Sequence, residues 1–125
     1  MSESTMKNIK DIKKLAGIVI NALEDKKAED IRVIDISEIS ILADYFIIAS
    51  GSNSRQIQAF ADEIEQKLAK EDCHLKQVEG YDSAGWILLD FGDIIVHLFD
   101  QENRTFYNLE RIWRDGKQID PETLR

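Results

Sequence analysis

An α/β fold is the class that this sequence predicts: a single domain in which helices pack on one mixed β-sheet. Two amphipathic helical repeats alternate with short apolar or β-branched runs, and the most apolar stretch has the pattern of a β-hairpin. A length of 125 residues, with 43% apolar and 32% charged side chains, suits one globular core.

The first predicted elements are a helix and a strand. Apolar side chains recur at three- and four-residue steps from Ile9 to Leu23 with lysines between them, which is the pattern of an amphipathic helix. The charged run Glu24 to Asp30 marks its end. Residues Ile31 to Ile36 alternate and are β-branched, so they predict a strand, whereas Ser37 to Ala43 stay unassigned.

The middle of the chain predicts a strand followed by a second helix. The continuous apolar run Tyr45 to Ser50 is typical of a central strand that is covered on both faces. The three residues from Ser52 to Ser54 are all good N-caps, and apolar side chains then repeat at helical spacing from Ile57 to Leu68. This helix should end near Glu71.

The last part of the chain predicts a short strand at His74 to Val78 and a hairpin from Trp86 to Phe99. A final helix is predicted from the spacing of apolar residues between Phe106 and Trp113. We expect one domain over residues 1–113 and a C-terminal tail over residues 114–125 that has little to pack.

The two faces of the hairpin differ in composition. A two-residue turn at Gly92 and Asp93 pairs Trp86 with Phe99, and paired residues share a face of the sheet. One face is then wholly apolar and consists of Ile87, Leu89, Phe91, Ile94, Val96 and Leu98. The second face consists of Trp86, Leu88, Asp90, Ile95, His97 and Phe99.

This second face has two interpretations. Large apolar side chains beside a carboxylate and an imidazole are typical of the buried centre of a protein interface. The same residues could form a second core layer, with a helix over Trp86, Leu88 and Phe99, with Asp90 in water, and with His97 as a satisfied, partly buried histidine. The residues alone leave both interpretations open.

Charge supports the interface. From Gln77 to Asn103 the chain has six carboxylates and no Lys or Arg, and the formal net charge of the whole chain is -8. An acidic surface attracts a basic protein and repels the phosphates of nucleic acid, so we do not expect nucleic acid as the main contact.

Catalytic and metal-binding patterns are weak in this sequence. The segment from Gly51 to Ser54 joins a strand to a helix, where backbone N–H groups can hold phosphate, but it has no Walker lysine and suits plain helix capping. Nucleotidyltransferases place paired acidic residues on the strand after such a turn, and His74 to Val78 contain none. We therefore expect no enzyme activity, no metal and no cofactor.

Location is expected to be cytoplasmic. The single cysteine, Cys73, cannot form an internal disulfide, which suits a reducing compartment. No apolar run approaches the ~20 residues that a bilayer crossing needs, so no membrane association is expected. The first eleven residues lack the apolar core of a signal peptide.

Three separated motifs resemble one known family. They are Asp44 to Gly51, Gly85 to Phe99 and Phe106 to Trp113, in this order, and they closely resemble the ribosomal silencing factor family, also called the Iojap family. The resemblance covers about residues 9 to 114. It implies an α/β domain with the topology of nucleotidyltransferases but without their catalytic residues.

The resemblance also implies a function and a partner. Members are expected to bind the large ribosomal subunit (50S) through large-subunit ribosomal protein fourteen, to block subunit joining sterically, and to repress translation, with a possible role in large-subunit assembly. A homodimer is expected for the free protein. Transferred by motif, the partner-binding residues are Trp86, Leu88, Asp90, Asp93, His97 and Phe99, with Glu79, Tyr81 and Tyr107 as further contacts.

Two other hypotheses remain at this point. One is a nucleotidyltransferase-like nucleotide-binding protein or enzyme that uses Gly51 and Ser52. The other assigns the apolar hairpin face to a homodimer seam with no ribosomal role.

Overall fold

The structure is a computed structural model that describes residues 9–41, 43–82, 85–101 and 115–124. In chain order its elements are helix α1 (Ile9–Asp25), strands β1 (Glu29–Asp35) and β2 (Tyr45–Gly51), helix α2 (Ser54–Ala69), strands β3 (Gln77–Glu79), β4 (Trp86–Asp90), β5 (Ile94–Asp100) and β6 (Lys117–Ile119), and a 3₁₀ turn (Pro121–Thr123). The predicted α/β class is confirmed. The predicted last helix and Tyr107 lie outside the described residues.

The described strands form one mixed sheet in the order β3-β4-β5-β2-β1-β6. Strands β2 and β5 are parallel and lie at the centre, while each of the other neighbouring pairs is antiparallel. The central position of β2 agrees with its continuous apolar run, since both of its faces are covered. The predicted strand at residues 74–78 is shifted, because pairing with β4 begins only at Gln77.

Both described helices pack on the same face of the sheet. The apolar stripe of α2, from Ile57 to Leu68, is buried with the apolar side of α1 and the strand residues below them. Asn53 is the N-cap of α2, because its side-chain oxygen accepts a hydrogen bond from the backbone N–H of Gln56. This face, which we call the helix face, contains the main core.

The opposite side of the sheet, the second face, carries a smaller apolar cluster. Its buried members are Ile34, Ile36, Ala43, Ile48 and Phe99, and Phe46, Trp86 and Ile95 pack against them while staying partly exposed. Two of these residues, Ile36 and Ala43, come from the connection between β1 and β2. Within the described part of the chain, these two residues cover part of the second face.

The expectation that the tail has little to pack is wrong for the described residues 115–124. Strand β6 pairs antiparallel with β1, with Val33 opposite Ile119. Ile119 and Leu124 are half-buried and pack against the main core. The tail therefore adds an edge strand to the sheet.

Candidate protein-docking surface

The hairpin has the register that its sequence predicts. Trp86 lies opposite Phe99, Leu88 opposite His97 and Asp90 opposite Ile95, and the backbone N–H of Phe91 donates to the carbonyl of Ile94 at 3.0 Å. Gly92 has φ +96° in the turn, and its N–H donates to the Asp90 carboxylate at 2.8 Å. The predicted division of the hairpin into two faces is thereby confirmed.

The wholly apolar face of the hairpin belongs to the protein's own core. The six side chains that were predicted for this face are between 0% and 4% exposed and lie beneath the helices of the helix face. Burial within one chain leaves this face unavailable as a seam between two copies. The homodimer hypothesis in that form is wrong.

On the second face, exposure depends on the strand. Trp86 and Leu88, on β4, are half-buried, whereas His97 is 6% exposed and Phe99 is fully buried on β5. The cause is the strand order, because β5 lies at the centre of the sheet between β4 and β2. Trp86 and Leu88 therefore keep accessible area, while His97 and Phe99 lie in the interior and Ile95, also on β5, stays partly exposed.

Phe99 therefore has a different role from the predicted one. Its ring lies 6.0 Å from that of Trp86 and 6.2 Å from that of His97, with nearly parallel planes. A fully buried ring offers no surface in this structure, so the prediction of Phe99 as a direct contact is corrected. Phe99 instead packs against Trp86 from the interior of the protein.

One ring nitrogen of His97 accepts a hydrogen bond, and the other has no partner among the described residues. The indole N–H of Trp86 donates to His97 Nδ1 at 3.1 Å, and the ring of Phe46 packs on the imidazole with centroids 4.9 Å apart. His97 Nε2 is buried and has no hydrogen-bond partner among the described residues. Burial lowers the pKa of His97 to about 4, so the imidazole is neutral at pH 7. The interpretation of a satisfied histidine is wrong for Nε2.

Carboxylates flank the accessible part of the second face. Glu79 pairs with Leu88 across the β3–β4 ladder and is exposed, while Asp90 and Asp93 are half-buried at the turn end of the hairpin. Paired residues share a face, so Glu79 lies beside Leu88. We call the group Glu79, Trp86, Leu88, Asp90 and Asp93 the β4 surface. Four of these predicted residues lie on one face of β3 and β4, whereas Asp93 lies in the turn, at the opposite end of the hairpin from Trp86.

Tyr81 lies elsewhere. Its hydroxyl donates to the carboxylate of Asp62 on α2 at 3.0 Å, and the side-chain amide of Gln58 donates to its backbone carbonyl at 2.7 Å. The hydrogen bond to Asp62 raises the pKa of Tyr81. These contacts place Tyr81 on the helix side, where it fixes the connection between β3 and β4. It therefore lies apart from the β4 surface.

One basic residue at this end of the hairpin was missed. A methyl group added at Gly92 would meet Cε and Nζ of Lys76 at 3.0 Å, so the lysine side chain lies over the turn. Its backbone N–H also donates to the carbonyl of Asp90 at 2.7 Å. The carboxylate-rich segment of the sequence was counted from Gln77, one residue later, so it did not include Lys76. The turn end of the β4 surface is therefore less negative than the sequence predicts.

The turn after β2 uses its polar groups for helix capping. The N–H of Ser52 donates to the side-chain oxygen of Gln56, and the N–H of Gln56 donates to Asn53. A methyl group at Gly51 would meet Ile57 and Phe60 at 2.9 Å, so close packing of the helix explains this glycine. Two donors that could hold a phosphate are therefore already occupied.

Acidic residues near this turn are placed differently from the prediction. Strand β2 lies between β5 and β1, not beside β3, the strand that follows α2, and Asp100 of β5 lies opposite Gly51. Paired metal ligands need a second carboxylate two residues before Asp100, on the same side of β5. That position is occupied by the buried Leu98. Among the described residues, no cluster of His, Cys, Asp and Glu could hold a metal ion.

Comparison with known proteins identifies the family. A family model described as ribosomal silencing factor during starvation matches residues 9–125. The chain belongs to the ribosomal silencing factor family. Ribosomal silencing factor RsfS of Bacillus subtilis is 42% identical over 113 residues, which cover 90% of this chain and 93% of that protein.

The chain is also similar to an organellar protein and to a solved structure. A mouse protein named mitochondrial assembly of ribosomal large subunit protein 1 is 33% identical, over 77% of this chain and 43% of that protein. A crystal structure of a protein from Chromobacterium violaceum is 32% identical with a TM-score of 0.78, covering 86% of this chain and 88% of that one. A ribosomal silencing factor is a regulatory, ribosome-associated protein by name, which agrees with an acidic docking surface. Among the described residues, no helix has the length and apolar character to cross a membrane.

Proposed function

We propose that this ribosomal silencing factor binds the large ribosomal subunit through large-subunit ribosomal protein fourteen and blocks joining of the small subunit. That protein is basic and lies on the face of the large subunit that meets the small one, as the family resemblance implies. A folded domain on this face stops the two subunits from approaching. Translation falls without any chemical step.

The observation that carries this proposal is the half-exposed β4 surface. Trp86 and Leu88 keep part of their apolar area accessible, as do Phe46 and Ile95 on the same face of the sheet. Glu79 lies beside Leu88, and Asp90 and Asp93 add negative charge at the turn end of the hairpin. An aromatic anchor inside a charged rim is the arrangement that stabilises protein interfaces, because a few central residues carry most of the binding energy.

Charge and apolar contact have separate tasks in this mechanism. The carboxylates attract and orient a basic partner during encounter, and their effect weakens as salt increases. Trp86 and Leu88 lose their remaining water contact once the partner is seated, which slows dissociation. The partner therefore needs a basic rim around an apolar site.

A sedimentation experiment tests target and mechanism together. The protein is added to separated ribosomal subunits and the mixture is resolved on a sucrose gradient. We expect it to migrate with the large subunit and to reduce the peak of joined particles. Trp86→Ala should weaken this binding about thirtyfold, the effect of removing a central anchor. Migration with the small subunit, or undiminished joining at saturation, contradicts the proposal.

Charge reversal provides the matched control. Glu79→Lys and Asp25→Lys make the same change in net charge at exposed positions, one on the β4 surface and one at the end of α1. Only Glu79→Lys should reduce co-sedimentation by more than about threefold, since the effect of surface charge decays within a Debye length. Equal losses for both variants show that net charge, and not the β4 surface, determines binding.

We also propose that the free protein is a homodimer. Ile39 and Ile41, in the connection between β1 and β2, are 52% and 101% exposed, and such side chains favour a protein contact. Light scattering should give twice the chain mass, and Ile41→Asp should give the monomer. A monomer at micromolar concentration before mutation refutes the dimer without affecting the ribosomal proposal.

The nucleotide-binding alternative has its own test. Asp100 opposite Gly51 is the feature that favours it. Calorimetry with ATP and Mg²⁺ should give no binding heat, because the donors of the turn are occupied by helix capping. Binding at micromolar affinity would favour the alternative.

A further inference from the structure

The hydrogen bond from Trp86 to His97 determines which side of the indole is accessible. The indole N–H donates to His97 Nδ1 at 3.1 Å, and His97 is only 6% exposed. The polar edge of the indole therefore faces the interior of the sheet. What Trp86 exposes on the β4 surface is its carbon framework.

The same hydrogen bond fixes the tautomer of His97. A neutral imidazole has one donor and one acceptor nitrogen, and Nδ1 is the acceptor because the indole N–H donates to it. The proton then lies on Nε2, which is buried without a hydrogen-bond partner among the described residues. An unpaired buried donor destabilises the folded protein. An aliphatic side chain at position 97 would fill this space without that loss.

We propose that His97 is a positioning residue for docking: it holds the Trp86 indole with its N–H inward, so that the partner meets only carbon atoms. The proposal rests on the docking function inferred above. It also specifies the partner chemistry. The site that receives Trp86 on the ribosomal protein must be apolar or the flat stem of a Lys or Arg, and it needs no hydrogen-bond acceptor for the indole.

Two neighbouring rings lie parallel to the indole of Trp86. The planes of Trp86, His97 and Phe99 lie within 6° of one another, with centroids 5.9 to 6.2 Å apart. Phe46 holds the imidazole from another direction, tilted by 51°. The hydrogen bond to His97 is directional, and it favours the orientation in which the indole N–H faces His97.

A double-mutant cycle tests the proposal with large subunits as the binding partner. His97→Leu removes the acceptor and keeps an apolar side chain in the cluster. It should weaken binding about three- to tenfold, the effect of one hydrogen bond, while the melting temperature changes little, because the unpaired Nε2 donor is gone but the indole N–H loses its acceptor. In a Trp86→Phe background, which has no indole N–H, His97→Leu should change binding by less than about twofold.

Rescue and spectroscopy complete the experiment. His97→Asn returns an acceptor oxygen near the position of Nδ1 and should bind within about twofold of the unchanged protein. The chain has two tryptophans, so two indole N–H resonances are expected, and the one lost in Trp86→Phe belongs to Trp86. That resonance should be protected from hydrogen exchange, and His97→Leu should remove the protection.

The outcomes separate the two proposals. If Trp86→Ala binds normally, the β4 surface is not the docking surface and both proposals fail. If Trp86→Ala loses binding while His97→Leu binds normally, only the positioning role fails. Equal losses for His97→Leu in both backgrounds, or an unprotected Trp86 indole, also overturn the positioning role.

Discussion

At Gly80 the backbone has φ +78°, and a methyl group there would lie 2.0 Å from the carbonyl oxygen of Trp86. Glycine at this position lets the backbone that follows β3 pass close to the carbonyl of Trp86. A side chain at this position must displace either its own backbone or that of Trp86. Gly80 therefore allows a close approach to the backbone of Trp86, the residue that carries the indole of the β4 surface.

Gly80→Ala should lower the free energy of unfolding by more than about 1 kcal/mol and weaken ribosome binding. Gly92→Ala is the matched control, because Gly92 also has a positive φ but meets only the flexible end of Lys76. Urea denaturation of both variants should show the larger loss for Gly80→Ala. Equal losses would mean that φ strain alone, and not the contact with Trp86, requires glycine.

The buried imidazole predicts a pH dependence of stability. Desolvation lowers the folded-state pKa of His97 to about 4, whereas the unfolded chain has the ordinary value of 6.5. Between these values the unfolded state binds a proton that the folded state does not, so stability falls as the pH falls from 6.5 to 4. The shift corresponds to roughly 3 kcal/mol over this window.

A comparison of variants isolates this effect. The difference in unfolding free energy between the unchanged protein and His97→Leu should grow in favour of the variant as the pH is lowered. Asp44, whose pKa is raised by burial and by the nearby Asp93 and Asp35, changes stability in the opposite direction but is present in both proteins. A pH-independent difference would show that His97 is not protonated on unfolding.

Among the elements, the hairpin was predictable and β6 was not. Gly92 and Asp93 fix a two-residue turn, and alternation then determines the partner and face of each residue from Trp86 to Phe99. Strand β6 has three residues, too few for a periodic pattern, and it forms because the edge of β1 offers hydrogen bonds. Local sequence carries the first kind of information, while the second requires the folded sheet.

The packing of β6 against the main core should contribute to the stability of the fold. Ile119 is half-buried against the main core, whereas Gln118, its neighbour on β6, is exposed. Ile119→Ala should lower the free energy of unfolding by about 1 kcal/mol, a fraction of the value for a fully buried isoleucine. Gln118→Ala should leave stability within about 0.5 kcal/mol of the unchanged protein. Equal stability of both variants would show that the tail contributes no packing energy.

For the molecule as a whole, composition predicted the charge of the β4 surface but not how deeply each side chain on that face of the hairpin is buried. Sequence alternation places His97 and Phe99 on the same face as Trp86, yet it does not show that β5 is central and β4 nearer the edge. Burial of β5 side chains depends on strand order and on what covers the sheet. For that reason the predicted contacts on β4 remain candidates, and Phe99 becomes a support.

The separation of charge and apolar contact leads to a kinetic prediction for the whole protein. The net charge of -8 should accelerate encounter with a basic partner, so the association rate should fall as salt is raised. Glu79→Lys should slow association with ribosomal protein fourteen several-fold and change dissociation little, because Glu79 is exposed at the rim. Trp86→Ala should do the reverse, since the loss of a central contact is felt after docking.

Stopped-flow mixing at two salt concentrations measures both rates for the three proteins. Asp25→Lys again serves as the control for net charge alone. The two-part mechanism requires that rim and centre affect different rates, because steering acts before contact and apolar burial only after it. If Glu79→Lys and Trp86→Ala change the same rate constant, attraction and anchoring are not separate steps on this surface.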